Sequence, residues 1–307
     1  MAFTANDVKV LREKTGVGMM ECKKALTETD GDMEKAIDIL REKGLAAAAK
    51  KASRIAAEGA VYAVVDDAKK VGVVVEVNAE TDFAAKSEKF QEFVRTVAAV
   101  IAENNPADVE ALMAMPYGDG KTVTEALQEK VLVIGENLSV RRFVRYEGDV
   151  VAYVHGEGRI GVLVKFEADA AASGSEELKA CGKDIAMQIA ALNAPYLSEA
   201  TVPAEDVAKE REITVAQIAA DPKNASKPEA IIQKMVDGRM GKFFKENCLL
   251  NQEFVKDSSM NVAQYIASEA KKVGGEMALV DFVRFEKGEG LQKREDDFAA
   301  EVAAMSK

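Results

Sequence analysis

The chain repeats itself, and the repeat leaves few folds open to it. Gly148-Asp149-Val150-Val151-Ala152-Tyr153-Val154 matches Gly59-Ala60-Val61-Tyr62-Ala63-Val64-Val65, and Ile160-Gly161-Val162-Leu163-Val164 matches Val71-Gly72-Val73-Val74-Val75. Both matches have the same offset, 89 residues, so no gap is needed between them. In the first copy Val61, Ala63 and Val65 alternate, Asp66-Asp67-Ala68-Lys69-Lys70 make a turn, and Val71 to Val77 run back. That pattern is a β-hairpin. A helix with Phe90, Phe93, Val94, Val97 and Ile101 follows and stops at Asn104-Asn105-Pro106; Leu178, Ile185 and Ile189 lie at nearly the same offset. After an irregular helical stretch, residues 138–146 read as a third strand. Its end, Phe143-Val144-Arg145-Tyr146-Glu147, recurs as Phe282-Val283-Arg284-Phe285-Glu286 at an offset of 139. A fixed offset of this kind points to duplication of a β-β-α-β unit. The step from 89 to 139 puts fifty extra residues between the helix and the last strand of the second copy.

Those residues are visible as a charged helical stretch, 203–247, broken once between Asp221-Pro222 and Pro228. It reads as an antiparallel helical hairpin of two helices of roughly 17 to 20 residues, about 25 to 30 Å long. Ahead of the repeat, residues 1–44 read as three short helices. Thr4 with Asp7 resembles a capping box, Gly16 ends the first helix, Met19-Met20 open the second, Asp32 caps the third, and Gly44 ends it. About forty residues make a marginal independent fold, so this is a small docking module. Residues 45–58, rich in alanine, read as a helical linker. The predicted fold class is therefore α+β, with core subdomains at 59–147 and 148–290 and a final helix over 291–307.

Composition excludes several functions. The formal net charge of −11 disfavours nucleic acid or an anionic membrane as a direct partner. Lys50-Lys51 with Arg54 is the sole basic cluster and reads as a solvated helix face. Cys22, Cys181 and Cys248 are scattered, and His155 is the single histidine. A structural zinc site needs about four paired ligands, so no metal is expected. The cysteine usage, the absence of an N-terminal leader and the absence of a long apolar run predict a cytoplasmic chain without a membrane span. No catalytic constellation assembles. His155-Gly156-Glu157-Gly158-Arg159 links two strands and offers no helix N-terminus to a phosphate. Gly120-Lys121-Thr122 lacks the upstream glycine of a P-loop. The chain is not expected to be an enzyme or to hold a cofactor.

Attention falls instead on Thr81-Asp82-Phe83-Ala84, where the second strand ends and loops usually carry function. In the second copy Thr81-Asp82-Phe83 aligns with Ala170-Ala171-Ala172. The framework was kept while the tip changed, so the tip is not needed to hold the fold. Two readings stand on the residues alone: a helix cap at Asp82 with Phe83 folded into its own core, or an exposed contact. Met19-Met20 read in the same two ways, as one buried and one exposed side chain or as an adaptable exposed pair.

Several segments in order resemble the elongation factor Ts family. They are Leu11-Arg12-Glu13-Lys14-Thr15-Gly16-Val17-Gly18-Met19-Met20, Cys22-Lys23-Lys24-Ala25-Leu26, residues 76–83, Gly135-Glu136-Asn137-Leu138, His155 with Arg159-Ile160-Gly161-Val162-Leu163, and residues 298–307. The resemblance covers essentially the whole chain. It implies an N-terminal module similar to ubiquitin-associated domains, two related core subdomains and a helical-hairpin insertion. It also implies guanine-nucleotide exchange on the GDP form of elongation factor Tu during translation elongation, without covalent chemistry. In such a protein Phe83 is an apolar wedge near the partner's Mg²⁺ site, Thr81, Asp82 and Ala84 complete the turn, and Met19 and Met20 dock on the partner's nucleotide domain. His155 and its hairpin meet the partner's β-barrel portion. The family turn is usually Thr-Asp-Phe-Val, and Ala84 departs from it. Homodimerisation through the helical hairpin varies among family members. Two other readings compete: a nucleotide-processing enzyme, which the missing P-loop disfavours, and a ubiquitin-type adaptor, which gives Phe83 no role.

Overall fold

The structure, a computed structural model, describes residues 3–224 and 226–292. Three helices come first: α1 (Ala5–Thr15), α2 (Met19–Glu28) and α3 (Met33–Lys51). Thr4 and Asp7 form a full capping box, Gly16 closes α1 at φ 67°, and the Asp32 carboxylate accepts from the Lys35 N–H at the start of α3. Leu11, Cys22, Leu26, Ala36 and Leu40 form the module's own small core.

One expectation fails here. Gly44 does not end the third helix, and residues 45–58 are not a separate helical linker. Helix α3 runs through Gly44 to Lys51, and the chain leaves it in a turn before the first strand. Gly44 is buried against the helix at residues 123–134, where an added Cβ would lie 3.4 Å from the Gln128 carbonyl oxygen. The glycine serves close helix packing instead of a stop, and the alanines after it carry the helix on. Leu132 and Val133 of the same partner helix join the module's core, so the module is docked on the first subdomain.

The first copy comprises β1 (Glu58–Asp66), β2 (Val71–Ala79), α4 (Asp82–Lys86), α5 (Glu88–Asn104), α6 (Val109–Ala114), β3 (Pro116–Gly118), β4 (Lys121–Thr122), α7 (Val123–Ile134) and β5 (Leu138–Glu147). The second comprises β6 (Asp149–His155), β7 (Ile160–Ala168), α8 (Glu176–Leu192), α9 (Ala204–Ala220), α10 (Glu229–Asn247), β8 (Glu253–Phe254), β9 (Asp257–Asn261), α11 (Val262–Val273) and β10 (Met277–Glu286). Each copy builds a three-stranded antiparallel sheet, ordered β1-β2-β5 and β6-β7-β10. Residues 293–307, where most of the expected C-terminal helix falls, lie outside the described residues.

The repeat is richer than β-β-α-β. The small hairpin β3–β4 and helix α7 recur as β8–β9 and α11, with caps Thr122 and Asn261 and stops Gly135 and Gly274 each 139 residues apart. Even a bulge recurs: Arg141 is the extra residue opposite Glu76/Val77, and Val280, again 139 residues on, is the extra residue in β10. The insertion is thereby confined to the α9–α10 hairpin and its flanks.

The two sheets pack face to face, and α5 and α8 cover their outer faces. Phe90, Phe93 and Val97 of α5 meet Val73, Val75 and Val77, while Val61, Val74, Val150, Leu163 and Phe285 fill the space between sheets. Because β2 is covered on both sides, all nine of its residues are buried. The approach of the sheets depends on two equivalent glycines. A Cβ at Gly72 would lie 2.4 Å from Val150 Cγ1, and a Cβ at Gly161 would lie 2.4 Å from Val61 Cγ1. Val61 and Val150 are themselves 89 residues apart, so each copy seats its valine on the other copy's glycine.

Polar contacts complete the junction. Glu76 is fully buried on β2. It accepts from Arg141 Nη1 at 3.0 Å, Arg142 Nε at 2.6 Å, Asn78 Nδ2 at 3.1 Å and the Gly288 N–H at 2.8 Å. The bulge explains how two consecutive arginines reach one carboxylate. Burial alone would raise the Glu76 pKa, but the Gly288 N–H and the two guanidiniums outweigh it and hold the carboxyl below its ordinary range. Lys287 pairs with Glu58 across the same junction.

Candidate partner-binding site

Strand β2 ends at Ala79, and the chain turns at Glu80 into a single helical turn, α4. A five-residue helix has no stability of its own, so its surroundings must hold it. At the front, Thr81 is the N-cap: its hydroxyl accepts from the Ala84 N–H at 3.2 Å. At the back, the Ser87 hydroxyl donates to the Ala84 carbonyl at 2.7 Å, and Gln91 Nε2 donates to the Ala85 carbonyl at 2.7 Å. Ala84 and Ala85 are buried against the subdomain core. Ala84 is therefore a packing position.

With both ends tied and the alanines inward, Phe83 points out, and it is 83% exposed. Burying a phenylalanine is worth about 1.5–3 kcal/mol, so an isolated fold gains nothing from this arrangement. The structure thus excludes the reading in which Phe83 folds into its own core, and it corrects Asp82 as a cap. Asp82 sits in the first turn, and its carboxylate takes a hydrogen bond from Lys86 Nζ at 3.0 Å. That bond holds the Asp82 pKa below the ordinary carboxylate range.

The other predicted residues gather on neighbouring ground. Met19 and Met20 open α2 after Gly18 and are 51% and 65% exposed, so both are outside. Lys89, in the first turn of α5, donates to the Gly16 carbonyl at 3.1 Å, which ties the turn before the methionines to the helix following Phe83. His155 is exposed at the end of β6, with the Tyr153 hydroxyl 2.9 Å from its Nδ1. The β6–β7 turn borders a groove of about 300 Å³ lined by Ala60, Tyr62, Lys86, Gln91, Val154 and Gly158. Helix α4 and the His155 hairpin are the two banks of that groove.

Residue-level reading missed the clamp behind Thr81. The Thr81 N–H donates to Glu136 Oε2 at 3.0 Å, and its hydroxyl donates to Glu136 Oε1 at 2.7 Å. Gly135, left-handed at φ 87°, stops α7 and turns Glu136 toward β2. The signal was present as a glycine stop followed by Glu136-Asn137, but 55 residues of chain separate the partners. Among the described residues no cluster of His, Cys, Asp and Glu could hold a metal ion, and no helix is long and apolar enough to cross a membrane.

Comparison with known proteins identifies the family. A family model described as Elongation factor TS matches residues 80–289. The chain belongs to the elongation factor Ts family. An elongation factor Ts of Clostridium perfringens is 51% identical over 306 residues, covering 99% of each chain. One from Syntrophotalea carbinolica is 49% identical over 311 residues, covering 100% of each, and one from Trichlorobacter lovleyi is 48% identical over 312 residues. As a family member the chain is a translation elongation factor of protein biosynthesis, and the α+β architecture with its N-terminal helices agrees with elongation factor Ts.

Proposed function

We propose that this chain is a guanine-nucleotide exchange factor that binds the GDP form of elongation factor Tu and speeds GDP release. The observation that carries this is Phe83, a large apolar side chain held in solvent by a helix tied at both ends. A GTPase holds GDP through backbone amides, a lysine and Mg²⁺, and release is slow because these contacts break together. Phe83 enters the partner's nucleotide domain as a wedge and displaces the structure that orders the metal's surroundings. Thr81 and Ala84 fix the turn, while Asp82 makes polar contacts at the edge and does not ligate the ion. Once Mg²⁺ is lost, phosphate charge is uncompensated and GDP leaves. Reciprocity follows: the factor by which this chain weakens GDP binding is the factor by which GDP weakens binding of the chain. The exposed methionines dock on the nucleotide domain, and His155 with its hairpin meets the β-barrel portion. No covalent bond changes, no cofactor takes part, and neither nucleic acid nor a membrane is contacted. The site of action is the cytoplasm.

The test is release of a fluorescent GDP analogue from elongation factor Tu, with wild-type protein and Phe83→Ala. Wild type accelerates release, and Phe83→Ala lowers the acceleration about tenfold or more while complex formation persists, as for a central apolar anchor. Equal acceleration by both would move the mechanism to the docking surfaces. No acceleration by wild type would overturn the exchange reading. Self-association would use the α9–α10 hairpin, where Ile213, Val215 and Ile231 are exposed; sedimentation at rising concentration decides it.

A further inference from the structure

We propose that Glu136 is a positioning residue for Phe83: it fixes the start of α4 in the one direction that keeps the ring outside. The inference rests on reading Phe83 as the contact that drives exchange. The Thr81 hydroxyl has one proton to give, and it goes to Glu136 Oε1 at 2.7 Å while the Thr81 hydroxyl oxygen accepts from the Ala84 N–H at 3.2 Å. The other carboxylate oxygen takes the Thr81 N–H at 3.0 Å. Backbone and side chain of the cap residue are therefore held together, and rotation of the cap breaks two bonds at once. The neighbours repeat the tie. The Asn137 N–H donates to Glu80 Oε1 at 2.6 Å, and Asn137 Nδ2 donates to the Arg54 carbonyl at 2.9 Å. The segments at residues 80–81 and 136–137 are thus zipped to each other, and α4 starts from the zip.

The second copy supplies the control. The position 139 residues after Glu136 is Gly275, and the position 89 residues after Glu80 is Asp169. With no carboxylate at Gly275, Asp169 Oδ1 instead accepts from the Ala171 and Ala172 N–H groups, both at 3.0 Å. A Cβ at Gly275 would lie 2.6 Å from that oxygen, so the two devices exclude each other. Where the clamp is missing, the segment is a plain turn and no helix forms; Ala172, whose carbonyl takes the Ser175 N–H as that of Ala84 takes the Ser87 N–H, is buried as Ala84 is. With the clamp the framework presents Phe83 from a helical turn; without it the matching exposed position is Ala171 on a plain turn.

The chain contains no tryptophan, so Phe83→Trp provides a single indole at the tip. Time-resolved anisotropy of that variant, with Glu136 and with Glu136→Ala or Glu136→Gln, reads the tip's freedom without reference to exchange. The fast local component grows in both Glu136 variants, and grows likewise for Thr81→Val but not for Thr81→Ser, while far-UV dichroism is unchanged. Glu136→Gln preserves size, so it remains informative should Glu136→Ala fold poorly. In GDP release, Glu136→Ala slows the rate at saturating protein about threefold or more, within the range of coupling between contacting groups, with little change in half-saturation. It has no further effect when Phe83→Ala is already present. Unchanged anisotropy, or further slowing on top of Phe83→Ala, overturns the proposal. If Phe83→Ala alone leaves exchange untouched, the wedge reading falls and the anisotropy by itself decides for Glu136.

Discussion

In the first copy the segment after the second strand lifts Phe83 into solvent from a helical turn; in the second, one residue shorter because the next helix is capped by Ser175, 88 residues after Ser87, the matching exposed position carries only Ala171. A second difference lies at one sheet register. Glu76 stands opposite Arg142, whereas the equivalent pair, Lys165 opposite Asp281, has reversed charges. Glu76 is sealed in the junction between copies. Asp281 is exposed, and Lys165 lies beside the Tyr146 ring at 5.9 Å. The valine–glycine contacts, by contrast, are the same in both directions. The duplicated unit is thus symmetric where the copies hold each other. It is asymmetric at the tip, and at the charged pair, which is buried around Glu76 on one side and reversed in sign beside Tyr146 on the other.

The sharpest way to break this comparison is to remove the buried carboxylate. Glu76→Ala should destabilise by about 3–5 kcal/mol, toward the lower end because Arg141 and Arg142 keep 24% and 30% of their side-chain surface. Lys165→Ala should change stability by no more than about 0.5 kcal/mol, and equal losses in urea denaturation would remove the asymmetry. Acid sharpens the same point. The Glu76 carboxyl is held below its ordinary value near 4.5, so its contribution is full above that value and is lost as pH falls through the lower folded-state value. A wild-type advantage over Glu76→Gln should therefore shrink only at pH values below about 4.5. A gap that closes from pH 7 to 5 would show that another group is responsible.

Gly72→Ala and Gly161→Ala should each cost about 1–3 kcal/mol by overpacking, and by similar amounts. Val150→Ala should recover part of the first loss and Val61→Ala part of the second; recovery on one side alone would deny the reciprocity. The smallest effect belongs to the tip. Phe83→Ala should shift stability by no more than about 0.5 kcal/mol, whereas Ala172→Phe, forced into a filled site, should cost about 1–3 kcal/mol. A large thermal shift on Phe83→Ala would make Phe83 a structural residue.

Much of this fold was legible because valines in a period of two and a constant offset survive without any knowledge of packing. The α9–α10 hairpin was legible as a break in that offset. Gly44 misled because a glycine that stops a helix and one that admits a neighbouring helix look the same until Gln128, 84 residues away, is in view. The β3–β4 hairpin was missed because strands of two or three residues carry no alternation, and its counterpart because β8 has two residues and β9 reads Asp257-Ser258-Ser259-Met260-Asn261, with no apolar alternation. At the site, the sequence singled out Phe83 through its disagreement with Ala172. It could not show Ala84 turned inward or Glu136 behind Thr81, since both depend on where α7 ends relative to β2.

The exchange of Val61 and Val150 across Gly161 and Gly72 carries a topological consequence. Each half owns both a knob and a socket, so the face it turns to its sister is self-complementary in the sense of a two-fold interface. A fragment ending before Gly148 would offer that face to a second fragment of its own kind, and a full chain opened at the junction would offer it to another chain. What tells a half apart from its sister is the Glu76 lock. The polar junction thus decides pairing identity, while the valines and glycines supply an adhesive that either half can use.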